Sequence, residues 1–178
     1  MRYLFLEHRL RHRFDVETFR QTLGEHLRLW GFAYVLSILG AVMFQSHFAF
    51  GLNASPSLPQ RFFLIHKGEL PQPGDHVAFR WPGGGPYPEG VTFVKIIAGM
   101  AGDTVTRADR DFFVNGKYVG QAKNMSREGV PLELGPAGVL PAGRYYVRAP
   151  HPDSLDSRYR LTGWVSEAQI IGRAYALF

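Results

Sequence analysis

The sequence predicts a mostly β domain behind one N-terminal transmembrane helix. Three features indicate this fold class. An uncharged apolar segment lies near the N-terminus, short apolar and aromatic runs separated by turn residues follow it, and the 178 residues include 20 Gly and 12 Pro. Gly and Pro interrupt long helices, whereas short runs between turns are typical of strands. The length fits one membrane segment and one domain of ordinary size.

The apolar segment covers residues 29–50, LWGFAYVLSILGAVMFQSHFAF, and contains no Asp, Glu, Lys or Arg. As an α-helix it would extend about 33 Å, close to the thickness of the hydrocarbon core of a bilayer. A buried core helix rarely stays uncharged for so long. A cleaved signal peptide is disfavoured because a long polar segment precedes the apolar run. We therefore expect a transmembrane signal anchor over residues 29–50.

The segment 1–28 is basic. Its arginines are Arg2, Arg9, Arg11, Arg13, Arg20 and Arg28. An Arg excess on one flank of an anchor predicts that this flank stays in the cytoplasm. Residues 51–178 would then form an extracytoplasmic domain, on the periplasmic side of the inner (cytoplasmic) membrane. The segment itself is expected to be either an amphipathic helix on the inner membrane surface or a partly ordered tail.

The composition excludes several kinds of site. The chain has no Cys, which rules out disulfides, a thiol nucleophile and cysteine metal sites. The formal net charge of +5 would suit nucleic acid or an anionic membrane. No nucleic-acid-binding motif is present, so we expect no nucleic-acid partner. The His residues do not show the spacing of zinc ligands, and we expect no metal site.

Seven strands are expected after residue 51, each an apolar or aromatic run bounded by turn residues. They cover residues 61–66, 76–81, 91–97, 112–114, 118–119, 144–148 and 170–177. Asn115 and Gly116, between two of these runs, are typical of a hairpin turn. The Gly-rich stretch 82–90 lacks the Gly-Lys-Ser/Thr ending of a phosphate-binding loop, and we expect an irregular loop there.

Lys95 lies inside the apolar run 91–97. Strand alternation places it on one face of the strand with Phe93 and Ile97. If that face is buried, desolvation lowers the pKa of the lysine, and a neutral lysine can act as a general base. The alternative is a solvent-exposed lysine on an edge strand, where it discourages pairing with other chains.

Two further polar clusters also have purely structural interpretations. The stretch 53–59, NASPSLP, follows the apolar segment and would serve equally well as a linker. The stretch 153–159, DSLDSRY, would serve as a turn that is tied by an Asp–Arg pair.

Taken in order, these three sites resemble the conserved boxes of bacterial signal peptidase I. They resemble more closely those of the TraF-like conjugative transfer peptidases, which process pilins. The stretch 55–59 resembles a Ser-x-Ser box just beyond an anchor, and the stretch 94–103, VKIIAGMAGD, resembles Val-Lys-x-Ile-x-Gly-x-x-Gly-Asp. The stretch 153–159 resembles Asn-Ser-x-Asp-Ser-Arg-Tyr. The resemblance covers about residues 29–178 and implies a signal peptidase-like β domain.

The resemblance also implies a Ser/Lys catalytic dyad. Ser57 would be the nucleophile and Lys95 its general base. Ser55 would add a hydroxyl to the oxyanion hole, beside the backbone N–H of Ser57. A mechanism of this kind needs no cofactor.

The last box is implied to support the lysine. In the resembling families, the residue at Ser154 orients the lysine, and those at Asp156 and Arg158 pair with each other. Two departures stand out: Asp153 occupies a position where Asn is usual, and the lysine is followed by Ile where signal peptidases usually carry Arg. These departures bear on substrate choice more than on the chemistry.

The expected activity is that of a single-pass, membrane-anchored serine endopeptidase. It would cleave a membrane-tethered pre-protein after a small residue, and its partners would be that pre-protein and the lipid bilayer. The short soluble part favours a conjugative pilin precursor as substrate, with a linear or a cyclic product. Two alternatives stay open: a housekeeping signal peptidase I of broad specificity, and a non-catalytic membrane-anchored assembly scaffold.

Overall fold

The structure is a computed structural model and describes residues 16–178. Residues 1–15, and with them the first half of the expected cytoplasmic segment 1–28, lie outside the described residues. The chain divides into two units, of which the first ends at Gln45 and the second covers Ser46–Phe178.

One long helix, α1, covers Val16–His47 and is long and apolar enough to cross a membrane. Its most apolar 18-residue window has a mean hydropathy of 1.7, and none of that window is buried inside the protein. The helix differs from the expected segment 29–50 at both ends. It begins earlier because residues 17–28 are mostly good helix formers. It ends at His47 because residues 48–50 pair with a neighbouring strand instead.

Eleven strands form the second unit among the described residues. They are β1 Phe48–Leu52, β2 Phe62–Lys67, β3 His76–Arg80, β4 Thr92–Gly99, β5 Thr104–Ala108, β6 Asp111–Val114, β7 Lys117–Gln121, β8 Gly138–Val139, β9 Arg144–Arg148, β10 Val165–Ser166 and β11 Ile170–Ala176. A 3₁₀ helix, Glu167–Gln169, precedes β11. The larger sheet has the order β1-β2-β11-β3-β4-β9-β10, and the smaller has the order β7-β6-β5-β8.

The mostly β fold class is confirmed. Every expected strand is present, with ends that differ by at most two residues. The structure adds β1, β5, β8 and β10, of which the last two are only two residues long. The stretch 82–90 contains no helix or strand, as expected.

The strand β11 lies between β2 and β3, although it follows both in the sequence. Its Ala174 pairs with Ile65 of β2 on one side and with His76 of β3 on the other. All these pairings are antiparallel. The β1–β2 pair and the β3–β4 pair are therefore joined into one sheet by a strand from the far end of the chain.

One apolar cluster of the core lies beside the polar boxes. Its buried members are Leu58, Phe63, Ile65, Ala78, Ala149 and Ala174. Val94 and Ile96, the neighbours of Lys95 along β4, pack against it. Burial of a side chain the size of Leu contributes about 2 kcal/mol. This cluster therefore holds Leu58, the residue after Ser57, in the same apolar layer as Val94 and Ile96, on the face of β4 opposite to the Lys95 side chain.

Candidate active site

Lys95 is a buried lysine inside the larger sheet. Its strand, β4, lies between β3 and β9, so the alternative of an exposed edge-strand lysine is excluded. The residue is 5% exposed, and buried Ile97 follows two positions later on the same face. Its Nζ donates a hydrogen bond to Ser154 Oγ at 2.8 Å and lies 5.5 Å from the centre of the Phe93 ring. Within residues 16–178, no carboxylate forms an ion pair with it.

Burial lowers the pKa of Lys95 to about 8. Loss of hydration is the largest cause. The charge of Asp156 opposes it by raising the pKa, and the charge of Arg158 lowers the pKa further. With this pKa, roughly a tenth of the lysine is neutral at pH 7. A neutral amine has a lone pair with which it can accept a proton from a hydroxyl group.

Asp156 and Arg158 form a buried, bidentate ion pair with side chains that are 0% and 3% exposed. Arg158 Nε donates to Asp156 Oδ1 at 2.8 Å, and Nη2 donates to Oδ2 at 2.9 Å. The pair is also bonded to the backbone on either side. Ala149 N donates to Asp156 Oδ2 at 3.0 Å, and Arg158 Nη1 donates to Gln121 O at 2.8 Å. The pair thus ties the box that contains Ser154 to the ends of β9 and β7.

Asp153 pairs with the loop after β7. Its carboxylate accepts hydrogen bonds from Lys123 Nζ and, at 2.7 Å, from Arg127 Nη2. The Lys123 and Arg127 bonds lower the pKa of Asp153 to about 2. The two cations Lys123 and Arg127 account for Asp at position 153, where the resembling families carry Asn. An uncharged Asn side chain would lose both ion pairs.

Ser55 and Ser57 lie in residues 53–61, the connection between β1 and β2, which we name the serine loop. Asn53 N donates to Arg61 O at 2.8 Å and closes the loop at its base. The two serine Oγ atoms are 2.8 Å apart, within hydrogen-bond distance. Ser57 is buried, at 7% exposure, whereas Ser55 is exposed. The sequence alone did not identify Asn53 as a functional residue, because loop closure produces no periodic pattern.

The expected site residues fall into two groups. The two serines form one group, and Lys95 with Ser154, backed by the buried ion pair, forms the other. Within residues 16–178, no hydrogen bond joins Ser57 Oγ to Lys95 Nζ. Leu58, the residue after Ser57, belongs to the apolar cluster against which Val94 and Ile96, the β4 neighbours of the lysine, pack. These neighbours lie on the face of β4 opposite to the Lys95 side chain. Hydrogen bonds between catalytic groups often tighten only when substrate binds.

The site consists of hydroxyl groups, one amine and one ion pair. In the part of the chain that the structure describes, no group of three or more His, Asp or Glu residues is placed to hold a metal ion. A hydroxyl beside an amine of lowered pKa can perform nucleophilic and acid–base chemistry.

Known proteins with similar sequences share one description. The family model "Signal peptidase, peptidase S26" matches residues 23–178. Signal peptidase I T of Bacillus subtilis (strain 168) is 31% identical over 170 residues, covering 84% of this chain and 83% of the relative. Signal peptidase I of Bacillus licheniformis is 29% identical over 175 residues, covering 89% and 90%. Among solved structures, the chain is similar to a signal peptidase I from Enterococcus faecalis V583, with 27% identity and a TM-score of 0.41 over 62% of this chain and 98% of that one.

Proposed function

The chain belongs to the signal peptidase family, peptidase S26, and we propose that it cleaves pre-proteins with a dyad formed by Ser57 and Lys95. The family consists of serine peptidases, and membrane anchoring agrees with the long apolar helix α1 near the N-terminus. The assignment of roles to individual residues is our proposal.

The observation that carries the dyad is the burial of Lys95 without a carboxylate in contact. Burial of an ammonium group without an ion-pair partner costs stability. A lysine at this position therefore opposes folding, and a catalytic role accounts for its presence. A lowered pKa in a buried amine is typical of a catalytic base.

In the proposed reaction, Ser57 Oγ attacks the carbonyl carbon of the scissile bond while Lys95 Nζ takes the hydroxyl proton. The backbone N–H of Ser57 and the hydroxyl of Ser55 donate hydrogen bonds to the oxyanion that forms. Lys95 then gives its proton to the leaving amine as the C–N bond breaks. Water attacks the acyl-enzyme, Lys95 accepts a proton from it, and Ser57 is released with that proton.

The second group of residues supports the lysine in this proposal. Ser154 holds Nζ through the 2.8 Å hydrogen bond. The Asp156–Arg158 pair fixes the box that carries Ser154 against β9 and β7. Removal of one member of the pair would therefore leave the other charge buried and would also move Ser154, the hydrogen-bond partner of the lysine.

We also propose that α1 is an anchor in the inner (cytoplasmic) membrane, with segment 1–28 in the cytoplasm and residues 51–178 on the extracytoplasmic, periplasmic side. The Arg excess in the N-terminal flank supports this orientation. Ser57 follows His47, the last residue of α1, after a connection that spans about 35 Å at most when fully extended. The scissile bond would therefore be cleaved near the membrane surface. Enzyme and substrate in one bilayer also meet at a raised effective concentration.

The proposed substrate is a conjugative pilin precursor, cleaved after a small residue. The supporting feature is the closer resemblance of the boxes to those of TraF-like transfer peptidases. Attack of the substrate's own amino group on the acyl-enzyme, in place of water, would give a cyclic product that is one water lighter than the linear one.

The test is mass spectrometry of a candidate pre-pilin co-expressed with wild type, Ser57→Ala or Lys95→Ala. Lys117→Ala is the matched control, because this lysine is exposed on β7. Cleavage by wild type and the control alone would support the dyad, and the product mass would distinguish linear from cyclic chains. Equal cleavage by all four proteins would refute the dyad and favour the scaffold alternative. Cleavage of many unrelated pre-proteins by wild type would favour the housekeeping alternative.

A further inference from the structure

The side chain of Asn53 spans the serine loop. Its Nδ2 donates hydrogen bonds to Leu58 O and Gln60 O, both at 3.1 Å. Its Oδ1 accepts from Ser55 N at 3.2 Å and from Ser55 Oγ at 3.0 Å. One half-buried amide therefore contacts the backbone on both sides of Ser57 and the side chain of Ser55.

These bonds fix the direction of the hydroxyl protons. Because Nδ2 faces two carbonyl oxygens, which only accept, the amide oxygen must face Ser55. Ser55 has a single hydroxyl proton, and its bond to Oδ1 uses it, since Oδ1 carries no hydrogen. In the 2.8 Å contact between the serines, the hydroxyl of Ser57 is therefore the donor and Ser55 Oγ the acceptor. The resulting chain runs from Ser57 through Ser55 to Asn53.

We infer that Asn53 is a positioning residue for the peptidase reaction and acts through Ser55; this inference rests on the proposed function. The amide holds Ser55 Oγ beside Ser57 Oγ, where one substrate carbonyl can meet both the nucleophile and the second oxyanion donor. When the oxyanion forms, the hydroxyl of Ser55 turns from Oδ1 to the substrate. Without the amide, Ser55 would sample other rotamers, because it is exposed and its remaining side-chain partner among the described residues is the hydroxyl of Ser57.

The test is a double-mutant cycle on cleavage of a pre-protein that carries a signal peptide with an Ala-x-Ala cleavage site. Wild type, Asn53→Ala, Ser55→Ala and the double variant are compared as full chains in detergent micelles. We expect Asn53→Ala to lower kcat by about 10- to 100-fold, since small misplacements of catalytic groups have effects of this size. KM should change by less than about threefold, because the amide would act on the transition state. In the Ser55→Ala background the same substitution should lower kcat by less than about threefold.

Asn124→Ala is the matched control, because Asn124 is an exposed loop residue whose side chain forms no hydrogen bond with the rest of residues 16–178. The inference is overturned if Asn53→Ala leaves kcat unchanged. It is also overturned if the substitution lowers kcat by the same factor in both backgrounds, since Asn53 would then act independently of Ser55.

A second measurement does not depend on activity. Amide hydrogen exchange of residues 54–60 should be faster in Asn53→Ala than in wild type, while peptides from β3 and β4 keep their rates. If wild type cleaves no pre-protein, the proposed function fails, and this exchange measurement alone decides about Asn53. Faster exchange confined to the serine loop would support its ordering role, and unchanged exchange would overturn it.

Discussion

Raising the pH from 6 to 9 should activate the peptidase, because Lys95 must lose its proton before it can act as a base. Burial lowers the pKa of this lysine to about 8. The neutral fraction is then about 1% at pH 6, one half at pH 8 and about 90% at pH 9. A lysine with the ordinary value of 10.5 would be less than about 1% neutral at pH 8. Burial therefore increases the neutral fraction of Lys95 at pH 8 by about 100-fold.

The assay is kcat/KM at subsaturating substrate, measured every half pH unit on the full chain in detergent. The value of kcat/KM reports the ionisation of the free enzyme. We expect it to rise about tenfold per pH unit below pH 7.5 and to level off above pH 8.5. Tryptophan fluorescence at each pH serves as the control that the fold is unchanged. A flat profile from pH 6 to 8, or a limb centred near 10.5, would refute the assignment of Lys95 as the base.

Three further predictions follow from the same contacts. The folded-state pKa of Lys95 lies below the unfolded value, so the unfolded chain binds more protons between pH 8 and 10 and this residue makes stability rise with pH. In urea unfolding, the stability of wild type relative to Lys95→Met should thus increase by about 2 kcal/mol between pH 8 and 10, and a constant difference would contradict the burial of the amine. Arg158→Ala should lower the free energy of unfolding by about 3–5 kcal/mol, because it leaves Asp156 charged and buried. It should also move the acid limb of kcat/KM to higher pH, since Arg158 lowers the pKa of Lys95; an unmoved limb would argue against this coupling. Asp153→Asn should leave kcat unchanged, because Asp153 bonds to Lys123 and Arg127 and not to Lys95. A large fall in kcat would show that this surface cluster affects the catalytic step.

The sequence predicted the strand that carries the lysine better than the position of that strand in the sheet. The run around Lys95 alternates clearly, so its strand and its face could be assigned from local pattern. Its place inside the sheet depends on pairing with β9, whose partner residues lie about 50 positions later. No local pattern contains that information, and the edge-strand alternative stayed open until the structure excluded it.

The end of the helix shows a different limit. The residues FAFGL after His47 are as apolar as the helix before them, so hydropathy extended the expected anchor to residue 50. Their strand conformation comes from pairing with β2, as in the contact between Phe48 and His66. The sequence did not predict a role for Asn53 for a related reason. Its four side-chain bonds exist only when the serine loop is closed, and they leave no mark on hydrophobic periodicity.

The position of β11 also determines when the proposed active site can assemble during synthesis of the chain. The β1–β2 pair carries the serine loop, and the β3–β4 pair carries Lys95. Within the sheet, the two pairs are joined by the hydrogen bonds that β11 forms with β2 on one side and with β3 on the other. During synthesis, a chain whose β11 is not yet in place would hold the proposed nucleophile, Ser57, and the proposed base, Lys95, in two separate strand pairs. The proposed dyad would therefore assemble only after β11 has been synthesised and has paired with both β2 and β3. The order of the strands in the sheet thus makes assembly of the proposed active site depend on a late step of folding.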